Sequence, residues 1–222
     1  MKSSNPLLVL LLRHEETLNP EGRLYGQEEV SLSETGRRRT EALVERLCRF
    51  PVRAVYGSDL SRSAYGAQRL AALTGAPLRL TPDLREIDFG AWTGRTFAEL
   101  LKIPEFRLRL SDPEALAPPG GETLAELAQR ALGVLTEIRR EFSSGLVVIF
   151  GHGGLNRALL CRLLELPLRR FFSLEQRPGA VNLLVFYPEA SPLLALFNAP
   201  SDLDLGPYLD YYGIGAHPYR RP

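Results

Sequence analysis

The sequence predicts an α/β fold: a three-layer sandwich with a mostly parallel central sheet, helices on both faces and a small helical cap insert. Three observations predict it. Short, continuously apolar runs such as Leu7–Leu12 and Leu146–Phe150 have the length of strands buried on both faces. Longer segments with apolar residues at spacings of three and four read as amphipathic helices. The two kinds of segment alternate along the chain, the pattern of strands joined by crossover helices.

Leu7–Leu12 is the first strand. It is too short for a membrane span and runs into Arg13-His14-Glu15-Glu16 without a small-residue cleavage site, so a buried strand is expected rather than a signal peptide. Residues 15–32 form a polar loop with Pro20, Gly22 and Gly26. Ser33 reads as an N-cap, and the helix after it reaches about Cys48 with Leu43, Val44 and Leu47 inward. A strand at Val52–Tyr56, a helix to about Leu73 and a short strand at Pro77–Leu80 follow. The stretch from 81 to 121 mixes Gly, Pro and aromatic residues with short helical pieces, and its part from about 90 reads as the cap. Leu124, Leu127, Ala131, Leu135, Ile138 and Phe142 mark a long helix that Gly145 is expected to close. Leu146–Phe150 is a second central strand and Leu155–Leu164 a helix. Val181–Tyr187 and Leu193–Phe197 read as closing strands. This gives one domain over residues 1–198 and an irregular, Pro- and Tyr-rich tail over 199–222, expected to pack on a neighbouring subunit as a homodimer contact or to fold back over its own.

The 222 residues suit one sizeable core. A net charge of +1 gives no global pull towards nucleic acid or an anionic membrane, so neither is expected as a partner. The basic residues are nearly all Arg, whose planar fork suits phosphate or carboxylate. The two cysteines, Cys48 and Cys161, lie far from any CxxC pattern and read as reduced, buried thiols, consistent with a cytoplasmic protein.

Chemistry concentrates where strands end, the place where ligands sit in such sheets. The chain has three histidines, and two occupy equivalent positions: His14 directly after the first strand and His152 directly after Leu146–Phe150. A third exit, Gly57-Ser58-Asp59-Leu60-Ser61-Arg62, sets Arg62 in the first turn of a helix, where a cation opposes the dipole and calls for an anion. A fourth, Thr81 to Gly90, supplies carboxylates including Glu86. Metal chemistry would want three or more clustered ligands, no HxH or HExxH spacing exists, and His217 in the tail is a poor third ligand. A phosphoryl group fits better. Guanidinium groups bind its oxygens, a neutral imidazole attacks phosphorus, neighbouring cations keep that imidazole unprotonated, and a carboxylic acid protonates the leaving oxygen.

Six motifs stand in order along the chain: Leu12-Arg13-His14-Glu15-Glu16-Thr17, Gly22-Arg23-Leu24-Tyr25-Gly26, Ser58-Asp59-Leu60-Ser61-Arg62-Ser63, Leu84-Arg85-Glu86-Ile87-Asp88-Phe89-Gly90, Pro119-Gly120-Gly121-Glu122-Thr123 and Gly151-His152-Gly153-Gly154. With them the chain resembles the histidine phosphatase superfamily, in its phosphoglycerate-mutase-like branch, from about Leu8 to Phe197. The resemblance implies that His14 is phosphorylated during turnover, that Arg13, Arg62 and His152 complete the phosphate pocket, and that Glu86 is the proton donor. It sets Asn19, Arg23, Gly26, Gln27 and Gly153 where relatives contact the phosphate or the rest of the substrate, and implies no metal or organic cofactor. The short segment from Gly90 to Pro119 and its Pro-Pro-Gly-Gly-Glu-Thr ending resemble the phosphatase subgroup that includes the α-ribazole phosphatases. The implied activity is metal-independent hydrolysis of a small phosphomonoester. A cofactor-dependent phosphoglycerate mutase and a catalytically impaired phosphate-ligand-binding relative are the alternatives. Two features depart from the family. Glu15 replaces a small residue beside the nucleophile and is expected to point away from the pocket, and the loop between Thr17 and Gly22 is one residue short, which leaves the match of Asn19 open. Phe89, Trp92 and Phe97 are candidates for an apolar wall beside the phosphate, or for packing under the cap.

Overall fold

The computed structural model describes residues 5–216. Six strands and seven α-helices follow in chain order: β1 (Leu7–Arg13), α1 (Glu34–Leu47), β2 (Val52–Ser58), α2 (Ser61–Thr74), β3 (Leu78–Thr81), α3 (Phe97–Leu100), α4 (Pro104–Ser111), α5 (Leu124–Glu141), β4 (Gly145–Gly151), α6 (Gly153–Leu163), β5 (Val181–Phe186), β6 (Leu193–Ala199) and α7 (Gly206–Tyr211). They form one sheet in the order β3-β2-β4-β1-β5-β6. The first four positions are mutually parallel, while β5 runs antiparallel to β1 and β6 antiparallel to β5. The short link between β5 and β6 allows only an antiparallel hairpin, and the helical connections produce the parallel pairs.

The alternation of a strand explains why β1 is apolar throughout. Leu7, Val9 and Leu11 face a core with α5 and α6, whereas Leu8, Leu10 and Leu12 face one with α1, α2 and α7. Both faces of this strand are buried in those cores. The starts of α1 and α5 follow capping chemistry. Ser33 Oγ accepts the Gly36 N–H at 2.9 Å, and Thr123 with Glu126 makes a reciprocal capping box at the start of α5. Gly145 opens β4 with φ at 97° rather than closing α5, which ends at Glu141. The cap carries a small core of its own, Trp92, Leu100 and Phe106, with Leu24, Phe89 and Leu116 packed around it.

The tail differs from the irregular segment expected of it. β6 continues to Ala199, and α7 follows with Leu205, Leu209 and Ile214 buried against the α1–α2 side of the sheet. Leu205 and Leu209 lie one turn apart, and Pro207 sits at the start of α7, where its missing N–H costs nothing. The apolar spacing thus outweighs the prolines and glycines around it. The tail folds back over its own subunit here. Residues 217–222, with His217, lie outside the described residues.

Candidate active site

Strand register brings the two histidines together. In the parallel pair of β1 and β4, Arg13 stands opposite Gly151, so the next residues, His14 and His152, emerge side by side at the carboxyl edge. Their rings lie 5.1 Å apart, centroid to centroid, at 64°. The main chain pins both ends of this turn: the His14 N–H donates to Gly151 O at 3.1 Å, and the His14 carbonyl accepts from Gly179 N–H, also at 3.1 Å.

The His14 side chain is held in one orientation by a 2.7 Å hydrogen bond from Nδ1 to the carbonyl oxygen of Glu15. A carbonyl only accepts, so Nδ1 carries the proton and Nε2 keeps a free lone pair. Burial, then the charges of Arg13 and Arg62, push the imidazole from an ordinary value of 6.5 down to about 3, against a smaller opposing effect of that carbonyl. His152 is the N-cap residue of α6, is fully buried and, among the described residues, has no protein partner for either ring nitrogen. Burial first, then His14 and the nearby arginines, push it well below its ordinary value too. A buried, unpartnered polar group costs about 1–3 kcal/mol, a penalty removed by a ligand that supplies the missing partner.

Arg62 does not pair with Asp59, which is taken bidentately by Arg85 at 2.7 and 2.6 Å. Instead its guanidinium donates to the carbonyls of Glu28 at 2.8 Å and Gly26 at 2.5 Å, leaving a buried cation, 5% exposed, that has no carboxylate ion-pair partner among the described residues. Gly26 can bring its carbonyl there because its φ is +52° and its Cα lies against the Ile87 and Phe89 backbone, space that a side chain would fill. Arg13 donates to Gln176 O at 2.5 Å and keeps Nε buried and free.

Glu86 closes the group. Its carboxylate accepts the N–H groups of Ile87, Gly154 and Leu155 at 2.9, 2.9 and 3.1 Å, at the N-terminus of α6. A Cβ at Gly154 would collide with that carboxylate, so this glycine is required by close approach. Arg13, Glu86, Gly153 and Gly154 line one cavity of about 130 Å³.

The remaining sequence candidates are less central. Asn19 bonds to the Arg23 main chain, accepting its N–H at 2.9 Å and donating to its carbonyl at 2.8 Å. Arg23 itself is tied to Glu21 and to Gly94 O, bridging the loop to the cap. Gln27 opens on a separate cleft of about 870 Å³ lined by Asp83, Asp88, Glu122 and Glu126, whose carboxylates disfavour an anion although Arg130 is also there. Of the three aromatics, Phe89 lines the small cavity, whereas Trp92 and Phe97 pack edge-on against Phe106.

Glu15 points away from the pocket, as expected. It is 2% exposed, accepts a 2.6 Å hydrogen bond from Ser201 Oγ and lies 4.0 Å from Arg39. Four residues escaped the sequence reading. Arg130 donates to the carbonyls of Asp83, Arg85 and Glu86 and pairs with Glu122, which fixes the loop carrying Glu86. Gln176 supplies the acceptor for Arg13, and Arg109 and Arg157 line the small cavity. The residue type alone marked none of the three arginines, since arginine is abundant throughout this chain.

With this geometry in view, comparison with known proteins decides the family. The family model for the histidine phosphatase superfamily (branch 1) matches residues 9–199. The chain belongs to that superfamily. Among its relatives, phosphoserine phosphatase 1 of Hydrogenobacter thermophilus is 33% identical over 168 residues, covering 74% of this chain and 80% of that one. The metal-independent phosphoserine phosphatase of Arabidopsis thaliana is 35% identical over 164 residues, 71% and 68% of the two chains. The native structure of a mycobacterial glucosyl-3-phosphoglycerate phosphatase superposes with a TM-score of 0.79 at 29% identity, covering 86% of this chain and 98% of that one. All three carry phosphatase names, and the fold and sheet agree with the superfamily.

Proposed function

We propose that this histidine phosphatase superfamily member hydrolyses small phosphomonoesters without a metal ion, through a phosphohistidine on His14. One observation carries the reading: a neutral imidazole, its Nδ1 proton held by the Glu15 carbonyl, presents Nε2 among Arg13, Arg62 and a buried His152 whose ring nitrogens have no partner among the described residues. The phosphatase names of its relatives, one of them metal-independent, support it.

In the first step the Nε2 lone pair attacks phosphorus. The bond to the ester oxygen breaks as Glu86, in its protonated form, gives that oxygen a proton. Arg13 and Arg62 hold the phosphoryl oxygens, and His152 donates to the charge that develops on them. In the second step the Glu86 carboxylate takes a proton from water, the water oxygen attacks phosphorus, and the P–N bond breaks to return neutral His14. The guanidinium groups bind charge more strongly where burial keeps water from them. Glu15 turned towards Ser201 leaves the phosphate subsite free of a repelling carboxylate, which argues against an impaired binding relative. The two free thiols, Cys48 and Cys161, suit the reducing cytoplasm; among the described residues no helix is long and apolar enough to cross a membrane.

Hydrolysis of p-nitrophenyl phosphate in excess EDTA tests the reading. Wild type is expected to turn over and His14→Ala to be inert. Turnover by both, or by wild type only after metal is restored, contradicts it.

A further inference from the structure

Glu86 stands in a stretch that no ladder holds. Residues 85–89 belong to neither helix nor strand, and the chain reaches them from β3, the edge strand of the sheet. Proton transfer to one ester oxygen requires a carboxyl group placed to within about 0.5 Å. The carboxylate end of Glu86 is fixed by α6, through the N–H groups of Gly154 and Leu155. Its main-chain end is held from α5, by a residue with no step of its own in the reaction.

That residue is Arg130. A guanidinium has about five N–H donors to place. Here Nε donates to Glu122 Oε1 at 2.7 Å, Nη1 to the carbonyls of Asp83 at 2.9 Å and Arg85 at 2.6 Å, and Nη2 to the Glu86 carbonyl at 3.0 Å and Glu122 Oε2 at 2.9 Å. Every donor is engaged, and the carbonyls of Asp83, Arg85 and Glu86 all end on one planar group. Glu122 binds the next part of the loop as well: Oε2 accepts the Asp88 N–H at 3.3 Å, and the Glu122 N–H donates to Asp88 O at 3.0 Å. The Arg130 and Glu122 side chains are 16% and 13% exposed, so the pair is largely sheltered from water. The helix behind it is firmly placed, since Leu127, Ala128 and Ala131 of α5 share a core with Leu155 and Ala158 of α6. Arg130 itself opens on the cleft of about 870 Å³, whereas Glu86 lines the small cavity, so any effect of Arg130 on the reaction passes through the loop.

We infer that Arg130, locked by Glu122, is a positioning residue for proton transfer: it sets the backbone of residues 83–86 so that the Glu86 carboxyl meets both the start of α6 and the leaving oxygen. This rests on the phosphatase reading above and adds the residue pair on which its acid depends. A lysine ammonium, with fewer donors and no planar fork, cannot hold three carbonyls and both carboxylate oxygens at once.

The test reads kcat/KM for benzyl phosphate and p-nitrophenyl phosphate in EDTA. Both substrates carry one aromatic ring, but the benzyl alkoxide must be protonated as it leaves and p-nitrophenolate need not be. This constant covers the steps up to departure of the alcohol, so the later work of Glu86 as a base does not enter it. Arg130→Met is expected to lower kcat/KM for benzyl phosphate by about tenfold or more beyond its effect on p-nitrophenyl phosphate. Arg130→Lys should recover part of that difference. Introduced into Glu86→Gln, Arg130→Met should change kcat/KM for benzyl phosphate by less than about threefold, because the acid it serves is already gone. Glu122→Gln keeps the side-chain volume but sets an amide NH₂ against the Arg130 and Asp88 donors. It should shift the substrate ratio in the same direction, and it carries the test if Arg130→Met does not fold. Equal losses on both substrates, or an undiminished loss in the Glu86→Gln background, overturns the inference. Failure of the phosphatase reading shows differently, as wild-type turnover of p-nitrophenyl phosphate that is absent or that survives His14→Ala.

Discussion

The floor of the site rests on the sheet, whereas the cap rests on three large side chains of its own. His14 and His152 are adjacent because Arg13 pairs with Gly151 in the register of β1 and β4, deep in a core shared with helices on both faces. Arg109 is in place because α4 packs through Trp92, Leu100 and Phe106, a cluster small enough for one substitution to disturb. The difference separates two tasks. Under the proposed function the floor carries the chemistry and the cap, with its own core, the choice of molecule.

If that division holds, changes in the floor affect turnover and changes in the cap affect recognition. The largest effect is expected at the nucleophile: His14→Ala should lower kcat by on the order of a thousandfold or more with the thermal midpoint nearly unchanged, checked by steady-state kinetics beside a melting curve. Glu86→Gln is expected to cost on the order of 10²–10⁴ with alkyl phosphates and far less with aryl phosphates, whose leaving oxygens need no proton. Equal losses on both would remove Glu86 as the acid.

In the cap, Phe106→Ala should weaken the local core by about 3–5 kcal/mol, open the cap to hydrogen exchange over residues 90–121 and raise KM more than it lowers kcat. A fall in kcat alone would join cap and floor into one unit.

The pH dependence sharpens the floor's side of the comparison. The pKa of His14 is depressed in the fold to about 3 from 6.5. Between those values the unfolded chain takes up the proton and the folded chain does not, so this group's contribution is fully present above about 6.5 and is lost as pH falls towards 3. Wild type should therefore lose stability faster than His14→Asn over that window in denaturant titrations. The acid limb of kcat/KM should correspondingly show no His14 titration at the ordinary histidine value.

The smallest effect is expected behind the floor. Ser201→Ala removes the hydrogen bond to buried Glu15 and should cost about 1–3 kcal/mol in stability with only a few-fold change in activity.

The floor was legible in the sequence for a physical reason. Strands buried on both faces are conspicuous, and a scarce residue such as His at two strand exits stands out against them. Arg62 and Arg13 followed from the same strand-end reasoning, Glu86 was singled out among the acids of its loop only by the resemblance, and the outward turn of Glu15 followed from the repulsion it would otherwise exert. Arg109, Arg130 and Arg157 did not stand out. Each lies on a helix in a chain rich in arginine, and only the packing of α4, α5 and α6 around one edge shows where their guanidiniums go. The tail helix was missed because Pro207 and the neighbouring glycines read as breakers, although the Leu205–Leu209 spacing is helical and supplies an apolar face. For Trp92 and Phe97 the sequence left pocket wall and packing under the cap as alternatives, and the edge-on contacts with Phe106 decide for packing.

The central claim is that His14 carries the phosphoryl group, and trapping it is the most direct test. Wild type would be mixed with substrate in EDTA, quenched in alkali within the first turnovers, digested and analysed by mass spectrometry. A phosphoryl group on the peptide containing His14, formed and lost at rates compatible with turnover and absent from His14→Ala, is the predicted result. Sustained hydrolysis with no phosphoryl group on that peptide, or with the group on another residue, would contradict the account.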